Sequence, residues 1–453
     1  MDALIERFTV GEDYILDRRL IAADAVGSIA HAQMLAKVGI IATDQAEALT
    51  GELRKITMKA LQTGISIDRA QEDSHTAIEE LLVVALGEAG KRIHTGRSRN
   101  DQVMASTRLF AREGILAVRE SILETSRVLG RLARREERTP MPGRTHLQPA
   151  MPSTVGLWAA GYAESFLDAY DLLIPVYRQF NRSALGTAAG YGVPLPLDRE
   201  YLAELLGCDG IHHNVLSAMA SRGSGELALL DACTHVGIVA GRFAQDVVLF
   251  SMPEFGYFTL PDELCTGSSI MPQKRNPDAM ELMRGKSAVL SSLADRVRGI
   301  IRSLPAGYNR DLQETKAPMI QGLDLILDML AVIRLTVEAM QVNEGVLREA
   351  FTTDIFATDE AIRRVVAGES FRDAYRAVAA DLKNLDPSNF DLDEVISRRT
   401  ATGTPGNLDI PWLDRETEKR ATVVGADRAA VRAAVGALVG QEAELYPGFP
   451  SEG

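Results

Sequence analysis

Apolar positions recur every seventh residue through long, proline-free parts of the middle of the chain. Between Asp101 and Thr139, Ile115, Ile122 and Leu129 stand at that spacing beside Val118 and Leu132. A second segment opens after Pro152 and runs towards Arg182, with Pro175 as an expected kink. The third, from Gly225 to Ser251, sets Leu229, Val236, Phe243 and Phe250 in one row, with Cys233, Ala240 and Val247 in the next. A fourth, between Pro277 and Pro305, carries Met283, Leu290, Val297 and Leu304. The fifth follows Pro318 and carries Leu323, Leu330 and Val337 beside Ile326, Ile333 and Met340. Such stripes predict long helices packed side by side at shallow angles, the first reaching roughly 50 Å. Helices of that length bury their faces in an extended bundle and against other subunits.

The flanks predict shorter helices. Asp44 followed by Glu47 reads as a capping box, Leu49, Leu53, Ile56 and Ala60 form an apolar face, and Gly64 closes the helix. Near the C-terminus, helical stretches are expected around 358–366 and 370–382, followed by a looser segment over 385–407. No βαβ rhythm or run of alternating strands is evident. The expected class is all-α, with a bundle over 101–346 between smaller helical domains at 1–100 and 347–453.

The composition narrows the function. The 453 residues hold 49 Lys plus Arg against 62 Asp plus Glu, a net charge of -13. That sign argues against nucleic acid and anionic membranes as partners, and requires a local positive cluster for any anionic substrate. Cys208, Cys233 and Cys265 lack metal-ligand spacing and are odd in number, so no metal site and a reducing compartment are expected. Neither a basic-then-apolar leader nor about 18 uninterrupted apolar residues occurs, which predicts a cytoplasmic protein without a membrane span.

Four stretches break the helical regularity: IHTGRSRNDQ (93–102), PGRTHLQPAMP (142–152), CTGSSIMPQKRNPD (265–278) and GYNRDLQETK (307–316). Each lies at a long-helix boundary, where unpaired N–H groups and the helix dipole favour carboxylate or phosphate. In the 265–278 stretch, Gly267, Ser268 and Ser269 permit mobility, Lys274 supplies a cation, Asn276 an amide, and Pro277 can open a helix. Together they read as a loop that closes over an anion.

GSSIMPQKRNPD resembles the signature of the fumarase/aspartase superfamily, and its Gln273–Lys274 pair is similar to the argininosuccinate lyase branch. HTGRSRNDQ, RTHLQPAMP, YNRDLQETK and EDSHT (72–76) resemble the same branch, in the same order along nearly the whole chain. The resemblance implies an all-α homotetramer with five long helices per subunit joined in a twenty-helix bundle. It also implies active sites shared by three subunits, and cleavage of argininosuccinate to arginine and fumarate without metal or organic cofactor.

In that likeness Ser268 is the base, Lys274 and Asn276 meet the carboxylate where charge develops, and His146 with Glu281 forms a pair on the leaving-group side. Ser98, Arg99, Asn100 and Thr145 match positions around the fumarate half; Asp17, Tyr308, Gln313 and Lys316 match those around the amino-acid half. Asp73 and His75 match a pair near the site without a single assigned step.

The chain departs from the commonest pattern at Asp13, where many members have serine, at Ser217 and Ser221, where acids are frequent, and over 183–196. These differences bear on the released amine. Two other readings stay open: a superfamily lyase for a different N-substituted succinate, and a structural protein that has lost activity. His31, His235 and Cys233 read as packing or interface residues, the adjacent His212–His213 pair is a poor metal site, and the arginines ending the first long helix read as a solvated face.

Overall fold

The computed structural model describes residues 2–386 and 389–446. The long helices are Arg99–Arg135, Val155–Phe180, Ser224–Ser251, Asp278–Ile301 and Lys316–Ala339. Their heptad rows are what they bury: Ile115, Ile122, Leu129, Leu229, Val236, Phe243, Leu290, Leu323 and Leu330 are all inaccessible to solvent. Each such side chain contributes about 2 kcal/mol when taken out of water. Arg99–Arg135 packs along Val155–Phe180 and Lys316–Ala339, and Ser224–Ser251 packs along Asp278–Ile301. The fold is all-α, as the stripes predict.

Several details differ from expectation. The first long helix starts two residues early because Ser98 caps it, accepting from the Asn100 N–H at 3.3 Å. The fifth begins at Lys316, and Pro318 is accommodated in its first turn, where no N–H partner is needed. In the Thr43–Gln62 helix the reciprocal cap is Gln45, whose Oε1 accepts from the Ala42 N–H at 3.2 Å, so Asp44 lies inside the first turn. The Val155–Phe180 helix continues through Pro175, the position of the expected kink.

A sixth long helix, Ile410–Val439, was not expected. It lies along Arg99–Arg135, where buried Arg119 pairs with Asp427 at 2.6 Å and with the Tyr170 hydroxyl at 2.9 Å. The arginines of the first long helix bind neighbouring helices, Arg127 to Glu418 and Arg131 to Glu338. Helices Ala357–Val366, Phe371–Ala380 and Leu392–Ser397 form a lobe with a small apolar cluster of Ile355, Phe356 and Val395. The looser 385–407 segment includes Pro387 and Ser388, which lie outside the described residues, as does 447–453.

Two more points concern secondary structure. The Ser224–Ser251 helix is long and apolar enough to cross a membrane by composition, but half of that window is buried inside the bundle. The 142–152 stretch is not loop: Pro140–Thr145 and Gln148–Thr154 form an antiparallel hairpin. Prolines hid it, and the register shift between Gly143 and Arg144 admits them. A Cβ on Gly143 would sit 2.9 Å from the Met151 carbonyl oxygen, so this strand position requires glycine.

Candidate active site

All four polar stretches run into the N-terminal end of a long helix: helices open at Arg99, Asp278 and Lys316 inside three of them, and at Val155 just past the fourth. Within the chain they form three separate groups.

The first group surrounds a cavity of about 120 Å³ lined by Asp13, Glu72, Asp73, Arg99, Asn100, Arg222, Tyr308, Arg310 and Gln313. Lys316, the first residue of its helix, is buried with 2% of its side chain exposed. Its ammonium group meets Asp17 and, at 2.8 Å, Asp13. Burial alone would favour the neutral amine, but the two carboxylates outweigh it and raise the lysine pKa. Asp17 also accepts the Ser74 N–H at 3.0 Å.

Asp73 is the N-cap of Ser74–Leu86, accepting from the Thr76 N–H at 3.0 Å, and its other oxygen binds Arg99 Nη2 at 2.6 Å. Arg99 also meets Glu72 at 2.8 Å. Burial would raise the Asp73 carboxyl, yet His75, the Thr76 N–H and Arg99 lower it. His75 is buried 2.5 Å from Asp24. Burial works against its charged form, but Asp24, Asp73 and Asp17 prevail and hold its pKa above the ordinary value. Gln313 donates to the Thr9 and Val10 carbonyl oxygens, fixing the N-terminal segment over the cavity. Tyr308 lies under Arg222, whose guanidinium is 5.5 Å from the ring centroid.

Ser98 and Arg99 are held from behind by Asp101, which accepts from the Ser98 N–H and, through its other oxygen, from Gly186 and Ala188 N–H. Burial pushes the Asp101 carboxyl up to about 6 despite those donors.

The second group is the tip of the hairpin. His146 and Leu147 are the two turn residues, with φ of 52° and 63°. Positive φ at both positions suits a mirror-image two-residue turn, normally the place of Asn and Gly, so the tip is strained. Arg144 braces it, donating to the Leu147 carbonyl at 3.0 Å and the Tyr257 hydroxyl at 3.2 Å while lying over the Phe255 ring. Thr145 and His146 are exposed.

The third group is the 265–278 stretch, closed at its neck by backbone bonds between Thr266 and Asn276 in both directions. Inside it the Ser268 hydroxyl accepts the Met271 N–H at 3.2 Å and the Ile270 N–H at 3.4 Å. Lys274 and Glu281 are exposed, and Asn276 is half-buried. Among the described residues, no hydrogen bond or ion pair links His146 with Glu281, or joins the three groups.

The structure thus gathers Asp17, Asp73, His75, Ser98, Arg99, Asn100, Tyr308, Gln313 and Lys316 at one place, and leaves Thr145 and His146 apart from Ser268, Lys274, Asn276 and Glu281. Sequence reasoning left Glu72, Arg222 and Arg310 outside the site. Glu72 and Arg310 lie within EDSHT and YNRDLQETK, so motif likeness was the available signal, whereas their contacts with Arg99 and the Thr9 carbonyl oxygen depend on the fold. The packing residues behave as such: His31 is buried against the Thr95 carbonyl, burial raises the Cys233 thiol to about 12, and His212 is pushed down to about 4 by burial beside Arg108, Arg182 and Arg199. His235 is exposed on the chain.

The family profile described as Lyase matches residues 1–291. An argininosuccinate lyase of Sorangium cellulosum is 42% identical over 420 residues, covering 93% of this chain and 97% of the relative. One from Stenotrophomonas maltophilia is 40% identical over 84% of this chain and 88% of its own length. In fold, the chain is similar to EDDS lyase in complex with formate (TM-score 0.80, 21% identity, covering 94% and 91% of the two chains). It also resembles a class II fumarase from Schistosoma mansoni (TM-score 0.70, 17% identity, 85% and 94%). The chain belongs to the argininosuccinate lyase family of the fumarase/aspartase superfamily.

Proposed function

We infer that the chain catalyses the reversible β-elimination of argininosuccinate to arginine and fumarate. The observation that carries this reading is the near-full-length identity to argininosuccinate lyases. The geometry agrees with it: the preformed cavity presents both carboxylates and cations, as a ligand with several carboxylates and a guanidinium requires.

In the reaction, Ser268 Oγ takes the proton from the carbon next to the distal carboxylate. The electron pair moves first onto that carboxylate, then forms the C=C bond as the C–N bond breaks, and the leaving guanidine nitrogen keeps the C–N pair and gains a proton. A serine hydroxyl is a poor base in water. Two backbone N–H groups already donate to Ser268 Oγ, and such hydrogen bonds favour the alkoxide form over the hydroxyl. Lys274 and Asn276 stabilise the charge that develops on the carboxylate. His146 and Glu281 act on the leaving-group side. Ser98, Arg99, Asn100 and Thr145 hold the fumarate half, Arg99 through a planar fork suited to carboxylate. Asp17, Tyr308, Gln313 and Lys316 hold the amino-acid half, while Asp73 and His75 brace the cavity wall.

The three groups meet when subunits associate into a homotetramer. Apolar side chains exposed along the bundle helices support association: Ile238, Leu282, Val289 and Leu335 are each about half exposed or more. The reading calls for no cofactor, nucleic acid or membrane partner, and for a cytoplasmic location. It is tested by incubating the protein with argininosuccinate and following fumarate absorbance. Release of fumarate is expected; fumarate from aspartate or adenylosuccinate instead would move the assignment to another N-substituted succinate.

A further inference from the structure

Asp101 stands in the first turn of Arg99–Arg135 and is wholly inaccessible to solvent. Its Oδ1 accepts the Ser98 N–H at 2.9 Å. Its Oδ2 accepts the Gly186 N–H at 3.0 Å and the Ala188 N–H at 3.1 Å, from 85 and 87 residues along the chain. Both donors have left-handed backbone, with φ of 83° at Gly186 and 52° at Ala188. An L side chain resists that region, so Ala188 holds it against its own preference. The two N–H groups converge on one oxygen, the concave arrangement that receives an anion. The 185–192 segment is otherwise closed on itself, the Gly190 and Gly192 N–H groups both donating to the Thr187 carbonyl oxygen. Among the described residues, every hydrogen bond between that segment and the 97–102 turn runs through the Asp101 carboxylate.

The charged groups that act on Asp101 are Arg97 and Arg199, and neither forms an ion pair with it among the described residues. Arg97 donates to the Ser28 hydroxyl at 2.8 Å and also faces Asp24, Glu79, His31 and His94. Arg199 donates to the His212 and His213 carbonyl oxygens. All three hydrogen-bond partners of Asp101 are donors, so a proton added to either oxygen would face an N–H group. The carboxylate form is the one this geometry fits, although burial lifts the group to about 6.

We propose that Asp101 is a positioning residue for the reaction: its ionised carboxylate pins the 185–192 segment to the start of the Arg99–Arg135 helix and so fixes Ser98, Arg99 and Asn100 towards the carboxylates of the fumarate half. This rests on the argininosuccinate lyase reading, within which those three residues hold that half. Glu72 and Asp73 orient the Arg99 guanidinium from the cavity side, whereas Asp101 sets the backbone that carries it.

The test uses Asp101→Asn, which keeps the shape but turns an N–H donor towards one set of N–H groups. Succinate, which carries the two carboxylates of the fumarate half, and arginine are compared as inhibitors of fumarate release. In the variant, succinate affinity should fall about ten-fold or more, while arginine affinity changes less than about two-fold. KM for argininosuccinate should rise, with thermal melts establishing that the variant is folded. Equal losses for both inhibitors would make Asp101 a general stabiliser of the fold and overturn the proposal, as would no loss. A second measurement needs no variant: wild-type amide exchange in the 185–192 segment, corrected for the intrinsic effect of pH. Protection should fall about ten-fold between roughly pH 7.5 and roughly pH 5, where Asp101 takes up a proton. Unchanged protection would overturn the proposal. Wild-type protein releasing no fumarate from argininosuccinate would sink the parent reading instead, whereas normal turnover with an insensitive Asp101→Asn sinks the Asp101 assignment alone.

Discussion

At the cavity, Lys316 is buried between Asp13 and Asp17, and Asp73 spans from a helix cap to Arg99. In the 265–278 stretch, Lys274 is exposed and Ser268 is held only by N–H groups of its own loop. One region is finished within a single chain, and its charged groups are fixed before any ligand arrives. The other carries the proposed base on a segment whose neck is fixed and whose interior has few neighbours. The hairpin tip with His146 belongs with the second region. The difference teaches that one set of groups is preorganised by buried ion pairs, whereas the loop serine is held only by backbone hydrogen bonds of its own segment.

The largest effect that would break this comparison is at Ser268. Ser268→Ala should lower turnover by about 10³-fold or more, with the melting temperature unchanged because no core contact is lost. A stability loss with turnover retained would mean the loop is structural. Lys316→Met is the counterpart in the rigid region. It should impair activity and also cost about 3–5 kcal/mol in denaturant unfolding, because buried Asp17 and partly buried Asp13 lose their shared counter-ion.

A pH series sharpens the contrast. An unfolded imidazole titrates near 6.5, and the folded His75 titrates higher. Its stabilising contribution is therefore complete below about pH 6.5 and is lost as pH rises through the folded value. The stability advantage of wild type over His75→Asn should shrink as pH is raised from about 6, measured by thermal melts. The smallest effect is expected at the hairpin tip. Leu147→Gly should relieve positive-φ strain and stabilise the protein by ~1 kcal/mol in the same melts.

Much of the fold was legible because heptad rows such as Leu229–Val236–Phe243 are one face of a helix, and periodicity reports that directly. The Ile410–Val439 helix escaped because its buried face narrows in the middle to Thr417, Val424 and Val431, a row that includes a threonine and is surrounded by alanines. Pro411 at its start and Gly440 in the left-handed conformation at its end were the available signals. The hairpin escaped because four prolines and a His-Leu turn look like loop. Of the site, motif likeness reached residues on local sequence, such as Ser268 and Arg99. It could not reach the sharing of Lys316 by Asp13 and Asp17, since that depends on pairs about three hundred residues apart.

The central claim is that separate subunits complete each site, and hybrid complementation tests it most directly. Ser268→Ala and His146→Ala homo-oligomers are each expected to be inactive. After they are mixed under conditions that allow subunit exchange, fumarate release from argininosuccinate should reappear, because some sites then receive an intact Ser268 and an intact His146 from different chains. No recovery despite exchange verified by mass would contradict the account.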